Sequence, residues 1–328
     1  MILSTLLLAC GGSPNDSSPA TQAAKEPALT EADAPHTDLD FADPEACASC
    51  HAEVLSEWRQ SMHARAHADH DPVFAGMRAL RIAKQGEAVG KKGAPCHNPL
   101  APDDPDSPAG KVGVGCGTCH QGPDAALTAP DDRTLCLRCH DATQNPKGAA
   151  TCTTGPENEH AGAVACTTCH MRPEADGRRT HRFDGPHRAW YQDDPSFLTE
   201  AVGWTATREG DVLTGQLTNR TGHGFPSGFP GRIAVIQLSS GDWSAQAAVL
   251  KKVYVDDAGQ PTMPPFAARL AEDTRLEPGE TRTVRVELPA GTGPVDAHLI
   301  YHLIPPPAAK PLKLEGAQEA QPVKVKLN

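Results

Sequence analysis

The sequence predicts an α+β multidomain protein in which a mostly helical and irregular region is followed by an antiparallel, Ig-like β-sandwich. Two observations favour this division. All eleven cysteines lie before residue 170, in the half of the chain that is poorer in large apolar side chains. After about residue 190 there are no more cysteines, and short stretches of alternating apolar and polar residues begin.

The first 43 residues are predicted to lie outside both domains. Residues 1–9 read MILSTLLLA and are followed by Cys10. This apolar run ending in a cysteine resembles the signal of bacterial lipoproteins, in which the cysteine is acylated. This run is too short to span a bilayer. Residues 10–43 are rich in Ser, Pro, Ala and acidic residues and predict a disordered tether. We therefore expect a lipid-anchored protein on the periplasmic or cell-surface side of a bacterial membrane.

Residues 44–189 form the predicted first domain, and they contain one pentapeptide pattern four times. Each copy has two cysteines separated by two residues and followed by a histidine. The copies are Cys47/Cys50/His51, Cys116/Cys119/His120, Cys136/Cys139/His140 and Cys166/Cys169/His170.

This pattern is typical of covalent haem attachment. Two thiols three positions apart on one helical turn reach both vinyl groups of a porphyrin, and the next residue directs its imidazole at the iron. Zinc sites and redox disulfides also use two cysteines at this spacing, but neither needs a histidine after every pair. The sequence therefore predicts four c-type haems, packed too densely in this domain for the polypeptide to insulate them from one another.

Each iron also needs a ligand on its distal side, and other histidines are available. His63 is the strongest candidate, because it lies at the end of a predicted helix over residues 52–67 whose apolar face would pack on a haem. His181 and His187 lie beside the last motif, and we expect one of them to be a ligand. His223 lies in a Gly- and Pro-rich loop, residues 221–232, from which it could reach a haem. The further candidates are His97 and His160.

Cys96 and Cys152 belong to no complete motif. Residues 93–97 read GAPCH, a haem motif with Gly93 in place of the first cysteine. Three interpretations stay open: a fifth haem held by one thioether, a disulfide between Cys96 and Cys152, and unpaired thiols. Under the last two, His97 could be a distal ligand.

Residues 44–141 resemble a known family. The segment ACASCH at 46–51, Trp58 and the segment SMHA at 61–64, followed by GVGCGTCH at 113–120, are similar to the multihaem cytochromes typified by the tetrahaem carrier that accepts electrons from hydroxylamine oxidoreductase. The resemblance implies that His63 is the distal ligand of the haem held by Cys116, Cys119 and His120. It also places the family's haem with an open coordination position at residues 93–97, where the motif is broken.

Residues 190–328 are predicted to form the β-sandwich. Alternating stretches at 212–218, 233–238, 248–255, 281–288, 297–303 and 323–327 are separated by turn signals such as DDAG at 256–259. This number and spacing of strands is typical of an Ig-like sandwich. No pairing of a nucleophile with a base is visible in it.

The predicted function is electron transfer without a catalytic residue. A formal net charge of −11 excludes nucleic acid as a partner, since that needs a basic surface. It favours a redox protein with a basic docking surface, such as another cytochrome. Two alternatives remain: a redox enzyme acting on a small nitrogen or sulfur species at an open haem, and a docking subunit of a larger complex.

Overall fold

The structure is a computed structural model, and it describes residues 39–141, 143–152 and 164–327. The described residues belong to one contact unit, His36–Asn328. Cys10, His160, the signal remnant and nearly all of the tether lie outside them, and so does the side chain of Cys152. Within these ranges, no helix has both the length and the apolar character to cross a membrane.

The first region is built from short helices joined by turns. Its helices are α1 (Ala52–Arg59), α2 (Pro72–Gln85), α3 (Ala94–His97), α4 (Pro108–Lys111), α5 (Cys116–Cys119), α6 (Asp132–His140) and α7 (Cys166–His170), and two more, α8 (Arg188–Tyr191) and α9 (Ser196–Ala201), lead into the second region. Two small hairpins pair β1 (His120–Gln121) with β2 (Ala126–Leu127), and β3 (Thr143–Gln144) with β4 (Ala150–Cys152).

Helix α1 is shorter than the sequence predicts. It ends at Arg59, so His63 lies beyond the helix and not at its end. Ser61 Oγ donates to the carbonyl of Trp58 at 2.7 Å, and the N–H of Val114 donates to the carbonyl of His63 at 3.0 Å. These bonds replace the helical ones and turn the chain toward the centre of the domain.

The second region contains two antiparallel sheets that face each other. Their strands, with those of a separate hairpin, are β5 (Val202–Glu209), β6 (Val212–Asn219), β7 (Ile233–Ser240), β8 (Trp243–Leu250), β9 (Lys252–Val255), β10 (Arg269–Asp273), β11 (Thr281–Glu287), β12 (Asp296–His302) and β13 (Val323–Leu327). One sheet has the order β11-β6-β5 and the other β13-β12-β7-β8, and the hairpin pairs β9 with β10. The α+β fold class predicted from the sequence is confirmed.

Alternation of side chains builds the core between these sheets. Leu213 and Leu217 point inward from β6, and Leu299 and Tyr301 point inward from β12. Trp204 on β5 lies over Gly215 on β6, where any side chain would collide with the indole ring. Trp190 of α8 packs against the same core, so the helical segment before β5 belongs to it.

The strand predictions were mostly correct, with two corrections. The stretch predicted as one strand at 248–255 is divided between β8 and β9, because Lys251 separates them and its N–H donates to Thr274 Oγ1 at 3.1 Å. Strands β5 and β10 were not predicted, since the second half of β5 and all of β10 are exposed and show no apolar alternation.

Candidate haem sites

The four complete motifs each form a helical turn. The motifs at Cys116 and Cys166 are α5 and α7 with the histidine that ends or follows them, and the motif at Cys136 is the last turn of α6. The first motif closes its turn by a bond of 2.9 Å from the N–H of His51 to the carbonyl of Cys47. Both thiols and the imidazole of each motif therefore project from one side of the backbone.

Three of the motif histidines face a second imidazole. An imidazole nitrogen lies about 2 Å from a metal that it binds. Two imidazoles on opposite sides of one iron therefore have ring centroids about 6.3 Å apart by the same geometry. The observed separations are 6.2 Å for His63 and His140, 6.4 Å for His120 and His181, and 6.3 Å for His170 and His223.

The hydrogen bonds of these imidazole rings engage Nδ1 and leave Nε2 as the nitrogen that can bind iron. In four of them Nδ1 donates to a backbone carbonyl, because a carbonyl oxygen can only accept. The acceptors are Ala125 for His120, Asp184 for His170, Arg179 for His181 and Gly224 for His223, at 2.5 to 3.0 Å. In the neutral form of such a ring, Nε2 is the nitrogen that carries no proton and that can bind a metal.

A separation near 6.3 Å does not by itself identify a ligand pair. His67 and His70 also lie 6.3 Å apart. However, Nδ1 of His67 accepts a bond of 3.0 Å from the N–H of Asp69, and its Nε2 lies 3.6 Å from a carboxylate oxygen of Asp106. The nitrogen that would bind iron is therefore occupied, and His67 has no place in the ligand set.

His63 is partly buried, and its surroundings keep it neutral. Burial, followed by His140 and His170, lowers its pKa to about 3. An uncharged imidazole is the form that binds a metal. Its partner is His140, whereas the resemblance stated above implied His120. The structure therefore places His63 opposite the histidine of the motif at Cys136 and Cys139.

His181 is held by a carboxylate that the sequence did not single out. Glu57 on α1 is buried, and its Oε2 accepts from the N–H of His181 at 2.8 Å and from Arg178 Nη1 at 2.9 Å. Burial alone would raise the pKa of Glu57, but these two bonds outweigh it and the net pKa is lowered. A charged Glu57 thus fixes the segment that carries His181.

His223 is presented to the first region by a loop of the β-sandwich. Asn219, at the end of β6 and 1% exposed, organises this loop. Its Nδ2 donates to the carbonyls of His223 at 2.7 Å and of Glu277 at 3.0 Å, and its Oδ1 accepts from the N–H of Thr221 at 2.9 Å. The second region therefore supplies the imidazole that faces His170.

The remaining candidates lie in other surroundings. His187 is partly buried, its ring lies 6.3 Å from that of Tyr191, and desolvation followed by the charge of Arg232 lowers its pKa to about 3. No second imidazole faces it among the described residues. Cys96 is a thiol beside the thiol of Cys139, and its predicted disulfide with Cys152 involves a side chain outside the described residues. His97 is stacked on Phe74.

The attachment cysteines of neighbouring motifs touch one another. The thiol of Cys47 contacts that of Cys116, and the thiol of Cys136 contacts that of Cys166. Cys119 lies within electrostatic range of Cys136 and so connects the two groups. Asp132 on α6 also accepts from the N–H of Thr167 on α7 at 3.1 Å, which joins the last two motifs.

Buried cationic nitrogens provide a further test of whether haem fits. A haem carries two propionates, and buried guanidinium groups need anionic partners. Buried guanidinium nitrogens without a hydrogen-bond partner occur on Arg65, Arg81, Arg133 and Arg232, and also on Arg178, Arg182 and Arg188, whose other nitrogens pair with carboxylates. Arg232 makes no ion pair with a described carboxylate, and its charge acts on His140 and His187. These orphaned groups, together with the imidazole pairs, fit haem.

Comparisons with known proteins agree with this site. The family model "Cytochrome c554 and c-prime" matches residues 46–121, and the model "Cytochrome c3" matches residues 110–179. The crystal structure of a penta-heme cytochrome c552 from Thermochromatium tepidum is similar, with a TM-score of 0.70 and 25% identity over 87% of this chain and 96% of that one. A search of the curated proteins gave no match.

The two family models together span all four complete motifs, and the structural likeness extends across both regions of the molecule. A set of c-type haems is the cofactor that these likenesses and the paired imidazoles imply. The chain is a multihaem c-type cytochrome.

Proposed function

We propose that this protein transfers electrons between redox partners outside the cytoplasm, through c-type haems held at its four complete motifs. Haem c supplies an iron that alternates between the ferrous and ferric states. The chain contributes the thiols that attach each haem, the imidazoles that fill the axial positions and the packing that excludes water.

The observation that carries this proposal is the contact between attachment cysteines. Cys47 touches Cys116, and Cys136 touches Cys166, so the porphyrin edges fixed to these sulfurs would be neighbours. The links follow the order of the motifs along the chain. A row of neighbouring haems suits electron transfer, whereas a single catalytic centre would need no such row.

The two ends of this row are the accessible ones. Cys50 in the first motif and Cys169 in the last motif are exposed, while the cysteines of the two middle motifs are partly buried. Electrons would therefore enter and leave at the first and last motifs. With a net charge of −11, the protein favours partners with basic docking surfaces, such as other cytochromes.

Two axial imidazoles also favour a carrier over an enzyme. At three of the four motifs, His63, His181 and His223 would fill the side of the iron at which a small substrate would bind. A pair of imidazoles also gives a lower reduction potential than a histidine with a methionine. We also propose, from the sequence resemblance, that this protein is related to the tetrahaem carriers that accept electrons from hydroxylamine oxidoreductase.

We further propose that Cys10 carries a lipid that anchors the protein at the outer side of a bacterial membrane. The support is the apolar run before Cys10 and the need to attach c-type haems outside the cytoplasm. In cells labelled with a radioactive fatty acid, the wild type would carry the label and remain with the membranes. The Cys10→Ala variant would lose the label, and its retention would contradict the anchor.

The proposed function is tested by a reductive titration of the purified holoprotein. We expect a reversible uptake of one electron for each haem, with low-spin electron paramagnetic resonance signals from the three haems that have two axial imidazoles. Addition of nitrite or cyanide should leave the optical spectrum of these three haems unchanged. A high-spin haem that binds either ligand and turns over a substrate would instead support the redox enzyme.

A further inference from the structure

The incomplete motif at residues 93–97 preserves much of a haem site. It forms the helix α3, its histidine ends that helix, and its thiol lies against Cys139 just as Cys47 lies against Cys116. His97 Nδ1 donates to the carbonyl of Ala66 at 3.0 Å, which leaves Nε2 unprotonated as in the other ligands. The thiol and the hydrogen bonding therefore do not decide whether a haem binds here.

The ring of Phe74 does decide it. Phe74 lies in the first turn of α2, where Asp71 accepts the N–H of Phe74 at 3.0 Å. Its phenyl ring is stacked flat on the imidazole of His97, with centroids 3.6 Å apart and planes 3° from parallel. The phenyl ring therefore covers one face of the imidazole, and the centres of the two rings lie level with each other along the direction from the imidazole centre to Nε2.

A porphyrin bound at Nε2 of His97 would overlap this ring. The porphyrin plane stands perpendicular to the axial imidazole and extends over both of its faces. The near edge of the phenyl ring would then lie about 2 Å from porphyrin atoms, whereas carbon atoms in contact are about 3.5 Å apart or more.

The position of the missing first cysteine, Gly93, is also crowded by Phe74. A Cβ atom added to Gly93 would lie 3.0 Å from Phe74 Cε2 and 3.1 Å from Phe74 Cζ, so the phenyl ring crowds the first attachment position. The backbone itself would accept a cysteine, since Gly93 has φ −85° and ψ −15°. The side chain of Phe74, and not the backbone, therefore closes the position.

We infer that residues 93–97 are a closed haem position, filled by Phe74, and that the protein binds four haems and not five. This inference rests on the proposed binding of haem c at the four complete motifs. It distinguishes this chain from its penta-heme neighbour and removes the iron at the position where the sequence resemblance places an open coordination site. Cys96 then stays a thiol packed against Cys139.

The inference is tested first on the wild-type holoprotein. The iron content per polypeptide counts every haem, and the mass of the acid-denatured chain counts the covalent ones. We expect four by both measures, together with a Cys96 that an alkylating reagent modifies after denaturation. Five haems, or a haem peptide containing Cys96, would overturn the inference and leave electron transfer intact. No haem at all would refute both.

A pair of variants then tests the role of Phe74. Gly93→Cys combined with Phe74→Ala completes the motif and removes the ring, so a fifth covalent haem is expected. Gly93→Cys combined with Phe74→Tyr completes the motif but keeps a ring, and it should remain at four. Five haems in the Tyr variant would show that the ring does not close the position. If the Ala variant fails to mature, the wild-type count and the alkylation of Cys96 still decide the inference.

Discussion

The two regions of the molecule fill their interiors in different ways. Between the sheets, a continuous cluster of buried side chains runs from Trp190 to Leu327. In residues 39–187 the buried apolar side chains within the described ranges are few and scattered: Leu55, Ala66, Met77, Ala94 and Ala149. A chain segment of this length cannot offset its conformational entropy with so little burial. The difference indicates that porphyrins serve as the core of the first region.

The two regions are nevertheless joined by more than the linker between them. Met77 on α2 packs against Ile304 and Leu312 of the second region. Gly76 approaches the carbonyl of Leu312 so closely that a Cβ there would lie 2.4 Å from its oxygen. His223 faces His170 from the loop after β6. The β-sandwich therefore acts as a scaffold that supports one side of the haem region.

The largest expected effect is a difference in stability between the two regions when haem is absent. In the full chain made without haem attachment, we expect hydrogen exchange to show α1, α5, α6 and α7 unprotected, while β6, β7 and β12 keep their protection. The reason is that only the second region has a side-chain core of its own. Equal protection of the helices in the haem-free chain would contradict a core built from porphyrins.

A second prediction concerns the side-chain core itself. Leu217 is fully buried between the sheets, so Leu217→Ala should lower the free energy of unfolding by about 2–5 kcal/mol. Leu270 on β10 is 41% exposed and provides the matched control. Leu270→Ala should change stability by less than about 0.5 kcal/mol. Urea unfolding followed by the β-sheet circular dichroism measures both, and equal effects would contradict the assigned core.

A third prediction concerns the connection between the regions. Asn219→Asp keeps the shape of the side chain but removes the amide donors to the carbonyls of His223 and Glu277. We expect a loss of about 1–3 kcal/mol from the unsatisfied carbonyls. Because the loop then releases His223, one haem should also acquire a high-spin signal.

The control for this prediction is Thr218→Val, which removes a hydroxyl next to Asn219 in the chain but leaves the bonds of the His223 loop in place. This hydroxyl bonds that of Thr281 at 2.9 Å on the exposed side of the sheet, so only a smaller loss of stability is expected. The haem spectrum of this variant should match that of the wild type. An unchanged spectrum in Asn219→Asp would show that the loop holds His223 without the amide.

The smallest predicted effect is a pH dependence in the β-sandwich. Burial alone would raise the pKa of Glu280, but bonds from Arg282 and from the N–H of Glu277 outweigh it, and the net pKa is lowered from 4.5. A lowered pKa stabilises the fold above pH 4.5, and this contribution is lost as the pH falls through the folded-state value. For so exposed a pair it amounts to less than about 1 kcal/mol.

The variant Glu280→Gln measures this contribution. Its midpoint of thermal unfolding should lie below that of the wild type at pH 7, and the two should converge as the pH falls below 4.5. Comparison of the two proteins at each pH cancels the titration of the haem ligands, which both share. A constant difference across this range would contradict the role of the Glu280 carboxylate.

The sequence predicted those features that depend on local spacing. The four motifs and the strands β6, β7, β11, β12 and β13 follow from residues close together in the chain, where periodicity is a direct consequence of backbone geometry. The shared face of Cys116, Cys119 and His120 is one example. In each case, the residues that decide the outcome are only a few positions apart.

Features that depend on distant residues were not predictable in this way. The choice of His140 and not His120 as the partner of His63 depends on the bond between His63 and Val114, which joins segments about fifty residues apart. The roles of Glu57 and Asn219 depend on contacts with Arg178 and Glu277. Phe74 carries no sequence signal for its contact with His97, because a single phenylalanine in a helix is an ordinary packing residue.

The most direct test of the account maps the covalent haems on the protein. Proteolysis of the purified holoprotein, followed by mass spectrometry, should find haem on the peptides that contain Cys47 and Cys50, Cys116 and Cys119, Cys136 and Cys139, and Cys166 and Cys169. Each of these peptides should show no free thiol. Recovery of any of these pairs as free thiols, as a disulfide or with bound zinc would contradict haem attachment at that motif.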